Sequence, residues 1–315
     1  MSILQKWSGY ITRFLFDKFR VAELQRVRGI NRPISFLAKH WPPTNTTIVG
    51  LTRSNAKATI APSEGYVFWS GYYEPAESLL IDHLLKPGDI AVDIGANVGL
   101  HMVRMASLVG PSGRVYCFEP NPKCFRRLEN NVSLNGFTNV HCFPVALASH
   151  SGSTTLFVNA DGGNATLVKD PENKSTDDAQ VKVSTLNEVL AGKRVHFIKV
   201  DIEGYELDAL RGGEDIIKKY QPLMMCEYSE YYARLLRYEW RRVTDYFKSR
   251  GYRIYSINGC LLDEAFTPNA RSNFNYVALP NVKLAVMPRF LGSNWRKTTP
   301  ASPSRSCRRG IRTSI

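Results

Sequence analysis

The segment Val92-Asp93-Ile94-Gly95-Ala96-Asn97-Val98-Gly99 constrains the fold more than any other stretch of the chain. It grows out of the apolar run 90–94, which reads as a buried strand. It then opens a run of helical periodicity over 99–109. A strand that turns through glycines straight into a helix puts the turn at the carboxyl edge of a parallel sheet. That is where doubly wound folds hold their ligands. Glycine suits the place because it takes sharp turns and carries no Cβ to keep a ligand away from the backbone.

The flanking sequence repeats the same alternation. Strands are predicted at 114–119, 197–201 and 222–228, with helices at 122–134, 205–218 and 240–249. NVHCFPVAL runs into SGSTTLFV, and YRIYSI and NYVAL read as the last strands. Apolar runs of this length separated by helices indicate an α/β fold, Rossmann-like, with a mostly parallel twisted sheet covered on both faces. Before it, 44–73 suggests short antiparallel strands, and Pro75 opens a helix that Gly88 ends. There is no internal repeat.

Two nucleotide cofactors compete for the glycine turn. A dinucleotide site wants G-x-G-x-x-G, with the middle glycine letting a pyrophosphate sit on the helix N-terminus. Here Asn97 occupies the middle position, and Leu100-His101-Met102 brings no third glycine, which disfavours an NAD(P)-dependent oxidoreductase. Glu119, at the end of the second strand, is placed to accept hydrogen bonds from both hydroxyls of a ribose. Asp93 can orient the loop or receive an ammonium group.

The second cluster is Phe197-Ile198-Lys199-Val200-Asp201-Ile202-Glu203-Gly204-Tyr205-Glu206. Lys199 and Asp201 share one strand face, and a lysine inside a sheet buried on both sides calls for a carboxylate partner. One reading is structural: a Lys–acid pair followed by acids that suit a helix N-terminus. The other is catalytic, with Asp201 first, then Glu203 and Glu227 (the acid in MMCEYS), taking a proton from an acceptor. His101 is a weaker candidate. The three acids could share a divalent ion, but no histidine joins them at ligand spacing, so no metal is expected. Substrate-facing parts are expected in 44–75, in 159–180 around Asp161-Gly162-Gly163-Asn164, and in 228–240. There Tyr228, Tyr231, Tyr232 and Tyr238 either stack on sugar rings or pack a helix.

Taken in order, Tyr72-Tyr73-Glu74-Pro75, Gly88-Asp89, VDIGANVG, FEPNP, STLNEVL and KVDIEGYE resemble the FkbM family of methyltransferases over roughly residues 65–255. KVDIEGYE is the distinctive piece, since VDIGANVG occurs across class I methyltransferases. The resemblance implies a class I methyltransferase fold, S-adenosylmethionine as cofactor, and methylation of a hydroxyl on a glycan, sugar or natural-product small molecule. It implies that Asp93, Gly95, Asn97, Gly99 and Glu119 bind the cofactor, with Asp201 and Glu203 beside the reacting centre. A methyltransferase-like fold kept only for interaction is the remaining alternative, and the glycine loop with Glu119 and the acidic strand ends argues against it.

Charge sets the chain's ends apart. Net charge is +13, yet residues 1–40 and 296–315 each carry +6, leaving 27 bases against 26 acids between them. A nucleic-acid enzyme spreads basic charge over its working face, so this distribution argues against a nucleic-acid substrate. Three parts are expected. Residues 1–43 form a basic amphipathic helical segment, 44–285 the FkbM-like methyltransferase domain with its core motifs at 88–256, and 286–315 a basic disordered tail, whose Arg-rich part from about 290 on lies outside the resemblance. The N-terminal helix either packs on the domain, or on a partner in a homo-oligomer, or lies on an anionic membrane surface. The N-terminus has no clean signal-peptide core, because Arg13 and Asp17 interrupt it. Cys117, Cys142 and Cys226 sit in apolar runs and read as reduced core thiols, which points to the cytoplasm, with peripheral contact to the inner membrane face if the helix binds lipid.

Overall fold

The computed structural model describes residues 36, 39–40, 47–51, 56–65, 67, 71, 73–158, 165–170, 178–257, 259–270 and 272–286. The expected N-terminal helix, Tyr72, the turn Asp161-Gly162-Gly163-Asn164 and the basic tail lie outside these residues, apart from Phe36, Lys39, His40 and Val286. None of the helices among the described residues is long and apolar enough to cross a membrane.

A short hairpin, β1 (Thr47–Gly50) and β2 (Lys57–Ile60), comes first, as the sequence suggests. Helix α1 (Pro75–Leu84) leads into β3 (Ile90–Ile94), α2 (Leu100–Val109), β4 (Arg114–Phe118), α3 (Pro122–Leu134) and β5 (Val140–Phe143). Pro144, which has no N–H to donate, separates β5 from β6 (Val145–Leu147), and the chain changes sheet there. Strands β7 (Gly152–Val158), β8 (Ala165–Thr166) and β9 (Ala179–Ser184) complete a second, four-stranded sheet in the order β6-β9-β7-β8. The segment 159–180, expected from the sequence to face substrate, contains β8 and the start of β9. Val181 and Val183 alternate with polar neighbours over too short a span to show the strand by itself.

The chain then runs through α4 (Leu186–Val189), β10 (Phe197–Val200), α5 (Glu206–Arg211), α6 (Glu214–Tyr220), β11 (Leu223–Ser229), α7 (Glu230–Leu235), α8 (Trp240–Lys248), β12 (Tyr252–Ser256) and β13 (Asn273–Pro280). The main sheet has seven strands in the order β12-β13-β11-β10-β3-β4-β5. Its β11-β10-β3-β4-β5 part is parallel throughout, and β13 alone runs against its neighbours. That is the mostly parallel, doubly wound sheet expected of a class I methyltransferase.

Strands β3 and β10 lie side by side at the centre and are buried on both faces, with Val92, Ile198 and Val200 wholly inside. The strand order reverses at this pair: from β3 the chain first moves out to β4 and β5, and later returns to β10 and β11 on the other side. A crevice therefore opens above the carboxyl ends of β3 and β10. Asp93 and Lys199 face each other across the two strands in register, so the sequence's two acidic motifs meet at one edge.

Candidate active site

The glycine loop is held from three sides. The N–H groups of Gly95 and Ala96 both donate to the Phe118 carbonyl, at 2.9 and 3.0 Å. Gly95 (φ +80) and Gly99 (φ +86) take left-handed backbone angles, and so does Asn97 at φ +51. A Cβ on Gly95 would stand 1.9 Å from the Asp201 carbonyl oxygen, and one on Gly99 would stand 2.5 Å from Leu128 Cδ1. These glycines thus answer a packing need that the sequence did not reveal: they let the loop lie against the end of β10 and against α3. Glu119 is 6% exposed, and its two carboxylate oxygens accept the N–H groups of Asn97 (2.7 Å) and Asn121 (2.8 Å). Burial outweighs those hydrogen bonds and pushes its pKa up to about 7.

Beyond the loop, Lys199 Nζ sits 3.0 Å from Asp201 Oδ2 and 3.9 Å from Asp93 Oδ1, the carboxylate pairing that a buried lysine demands. Burial works against its charge, but the Asp201 and Asp93 carboxylates prevail and hold the ammonium firmly protonated. Burial likewise opposes ionisation of Asp201, yet Lys199 keeps its pKa below the ordinary carboxylate value. Asp201, Glu203 and Glu227 each offer an oxygen within 4.8 Å of the others. Burial first, then the Asp201 charge, raises both remaining acids. Glu203 is pushed up to about 8, and Glu227 goes well above its usual range and donates a hydrogen bond to Asp201. The three predicted catalytic acids are therefore one cluster, in which Asp201 favours the ionised form and its two neighbours the protonated one.

The model of the methyltransferase FkbM domain matches residues 93–254, just over half of the chain, and takes in the glycine loop, Glu119, Lys199 and the three clustered acids. The chain belongs to the FkbM methyltransferase family. Membership of that family implies S-adenosylmethionine as the methyl donor. Among curated relatives it is 31% identical over 164 residues to Methyltransferase sdnD of Sordaria araneosa, covering 42% of this chain and 62% of that protein. It is 26% identical over 185 residues to the 2-O-methyltransferase NoeI of Sinorhizobium fredii, covering 52% and 74%. It is 31% identical over 127 residues to the hexuronic acid methyltransferase AglP of Haloferax volcanii, covering 39% and 49%. The chain thus spans about three-fifths of the first of these proteins and half of the last.

In this FkbM methyltransferase the residues present fit the cofactor. Asp93 is 0% exposed and neither of its oxygens has a hydrogen-bond partner; the Nδ2 atom of Asn121, beside Glu119, is equally buried and unpaired. Polar groups do not stay buried and unmatched unless something else satisfies them. Asp93 could take the ammonium of the cofactor's amino-acid end, and Glu119, with lone pairs left over, could take ribose hydroxyls. Asn97, at the position where a dinucleotide fold needs glycine, spends its N–H on Glu119.

Several residues of the site escaped the sequence. Glu206 is 4% exposed and accepts the N–H groups of Ile202 (3.2 Å) and Gly204 (3.0 Å), fastening the turn in which Glu203 takes φ +55. Glu74, which in the sequence stands out only as part of the family resemblance, reaches His101 Nε2 at 2.8 Å, and the Tyr73 ring lies 5.0 Å from the imidazole. The left-handed angle of Glu74, φ +42, signals a special position, but backbone strain cannot be read from a residue's identity. The tyrosines divide. Tyr228 packs in the core against Trp240, its ring centroid 4.9 Å away, and Tyr238 joins that group. Tyr232 closes over Gly204, where a Cβ would come within 2.7 Å of its own, and Tyr231 reaches outward to Asp170 at 2.6 Å.

Proposed function

We propose that this chain is an oxygen methyltransferase whose acceptor is a hydroxyl of a glycan or natural-product small molecule. One observation carries the reading: the carboxyl groups of Asp201, Glu203 and Glu227, each offering an oxygen within 4.8 Å of the others, converge beside the cofactor loop at the crevice of the sheet. S-adenosylmethionine supplies an electrophilic methyl group on a sulfonium. The protein's part is to bring a hydroxyl lone pair to within ~3–3.5 Å of that carbon and to accept the hydroxyl proton as the new bond forms.

The electrostatics divide these tasks. Asp201, clamped by Lys199 at 3.0 Å, stays ionised and is a weak base, which suits it to orient the hydroxyl. Glu203, with its pKa near 8, has the stronger affinity for a proton and is the better general base. Glu227 keeps a proton and donates to Asp201, holding that carboxylate in place. The 2-O-methyltransferase NoeI supports oxygen as the accepting atom, the hexuronic acid methyltransferase AglP supports a sugar-type acceptor, and the near-neutral charge of the chain between its basic ends supports one without a polyphosphate backbone.

The test is a transfer assay with labelled S-adenosylmethionine against neutral glycans, uronic acids and polyketide-type alcohols. We expect label on a hydroxyl oxygen. Glu203→Gln should lose ~10²–10⁴-fold in kcat while cofactor affinity stays within the same order of magnitude. Label found on nitrogen or carbon would refute the reading, as would a Glu203→Gln enzyme of normal kcat.

A further inference from the structure

The donor's charge and the acid cluster must influence one another, and the cluster is built to respond. From its own turn Glu203 faces Asp201 and Glu206; from β10 it faces Lys199, from β11 Glu227, from the segment before α1 Glu74, and from α7 the Tyr232 hydroxyl. The only cation in that set is Lys199, and it is already bonded to Asp201. Glu227 Oε2 has no hydrogen-bond partner, and Asp93, wholly buried next to Lys199, has none at either oxygen. Acids packed this closely keep their protons because each ionised neighbour makes the next ionisation harder. A positive charge set among them removes that obstacle.

We propose that Asp201, Glu203 and Glu227 act as one proton-releasing receptor for the positive charge of the methyl donor, so that binding the donor empties the base before the acceptor needs it. The proposal rests on the cofactor and site described above. During transfer the acceptor's O–H bond breaks and its O–CH3 bond forms. The S–CH3 bond breaks with its electron pair going to sulfur, and the hydroxyl proton goes to the carboxylate that donor binding had ionised. The demethylated product is neutral at sulfur and leaves the cluster with its proton restored. The charged donor and the neutral product then differ in affinity, and the difference grows as pH rises through the range where Glu203 titrates. Glu119 and Asp93 meet parts of the molecule that donor and product share, so their own proton changes cancel in the comparison.

The experiment is titration calorimetry at pH 7.5 in phosphate and in Tris, two buffers of different ionisation enthalpy, with S-adenosylmethionine and with S-adenosylhomocysteine. S-adenosylmethionine should release about 0.5 proton or more beyond the count for S-adenosylhomocysteine. The ratio of their dissociation constants should move about tenfold in favour of the donor between pH 6.5 and pH 9. Glu203→Gln should lose most of the extra proton and keep its affinity for S-adenosylhomocysteine; Glu227→Gln serves the same purpose if that protein does not fold. Equal proton counts for the two ligands would overturn the proposal and leave the methyltransferase reading standing. Failure of both ligands to bind would overturn that reading as well.

Discussion

Gly95 shows how closely the site depends on single atoms. Its φ of +80 already disfavours any residue with a Cβ, and the added carbon would lie 1.9 Å from a backbone oxygen of Asp201 that has no flexible side chain to yield. Gly110 is also left-handed, at φ +64, but has nothing within 4 Å of where a Cβ would be. Strain alone should cost Gly110→Ala ~1–2 kcal/mol. Gly95→Ala adds overpacking of ~1–3 kcal/mol to that strain, and to relieve it must push the Asp201 turn away from the loop. In parallel urea titrations the second variant should therefore be clearly the less stable, and only the second should weaken S-adenosylmethionine binding. Equal losses from both would mean that the contact with Asp201 carries no weight. The sequence showed that position 95 needs glycine. It could not show that the reason lies 106 residues downstream, because the contact is made between the ends of two strands that pair only in the fold.

At the scale of elements, what was legible followed periodicity, and what was not followed tertiary contact. Strands β3, β4, β10 and β11 are mostly apolar, each broken by a single charged residue (Asp93, Arg114, Lys199, Glu227), and announce themselves, as does α3 with its asparagine cap. The helix expected over 205–218 is in fact two, α5 and α6, divided at Gly212-Gly213. Gly212 keeps helical angles (φ −64, ψ −14), and the backbone leaves the helical region at Gly213 (φ −107, ψ 15). Close packing calls for glycine there: a Cβ on Gly212 would meet the Ala148 carbonyl oxygen at 2.0 Å, beside the end of the second sheet's β6. A Cβ on Gly213 would meet the Leu186 side chain at 2.8 Å. A side chain can rotate away and a carbonyl cannot. Gly212→Ala should thus cost ~1–3 kcal/mol in denaturant unfolding and Gly213→Ala distinctly less, with cofactor affinity unchanged in both. If Gly213→Ala proved the more damaging, the second sheet would not be what sets the break.

At the scale of the whole molecule, six buried acids among the described residues hold their protons more tightly than usual, and this sets how stability varies with pH. Glu119 and Glu206 are pushed up to about 7 and Glu203 to about 8, each from an ordinary 4.5 and each chiefly by burial. Asp93, Glu77 and Glu227 shift in the same direction. Above pH 4.5 the unfolded chain gives up these protons while the folded one keeps them, so the folded state binds more protons and loses stability as pH rises, until about pH 8. Asp201 acts oppositely: its lowered pKa contributes stability above its unfolded value of 3.8 that disappears on acidification. His196, lowered by burial, also opposes the trend, since its part of the stability returns as pH rises through 6.5. Asp201 acts only below that range, so between pH 5 and pH 8 the partly exposed His196 stands against these six raised acids of the described residues. The cofactor-free protein should therefore melt highest near pH 5–6 and lose about 5 °C or more by pH 8.5. Saturating S-adenosylmethionine should flatten that decline, because a cation among the acids favours the ionised form that high pH produces. Thermal melts across pH 5–9, with and without ligand, decide it. A melting temperature that is level or rising between pH 5.5 and pH 8.5 without ligand would show that the buried acids are already ionised at rest, and that donor binding has no proton to expel.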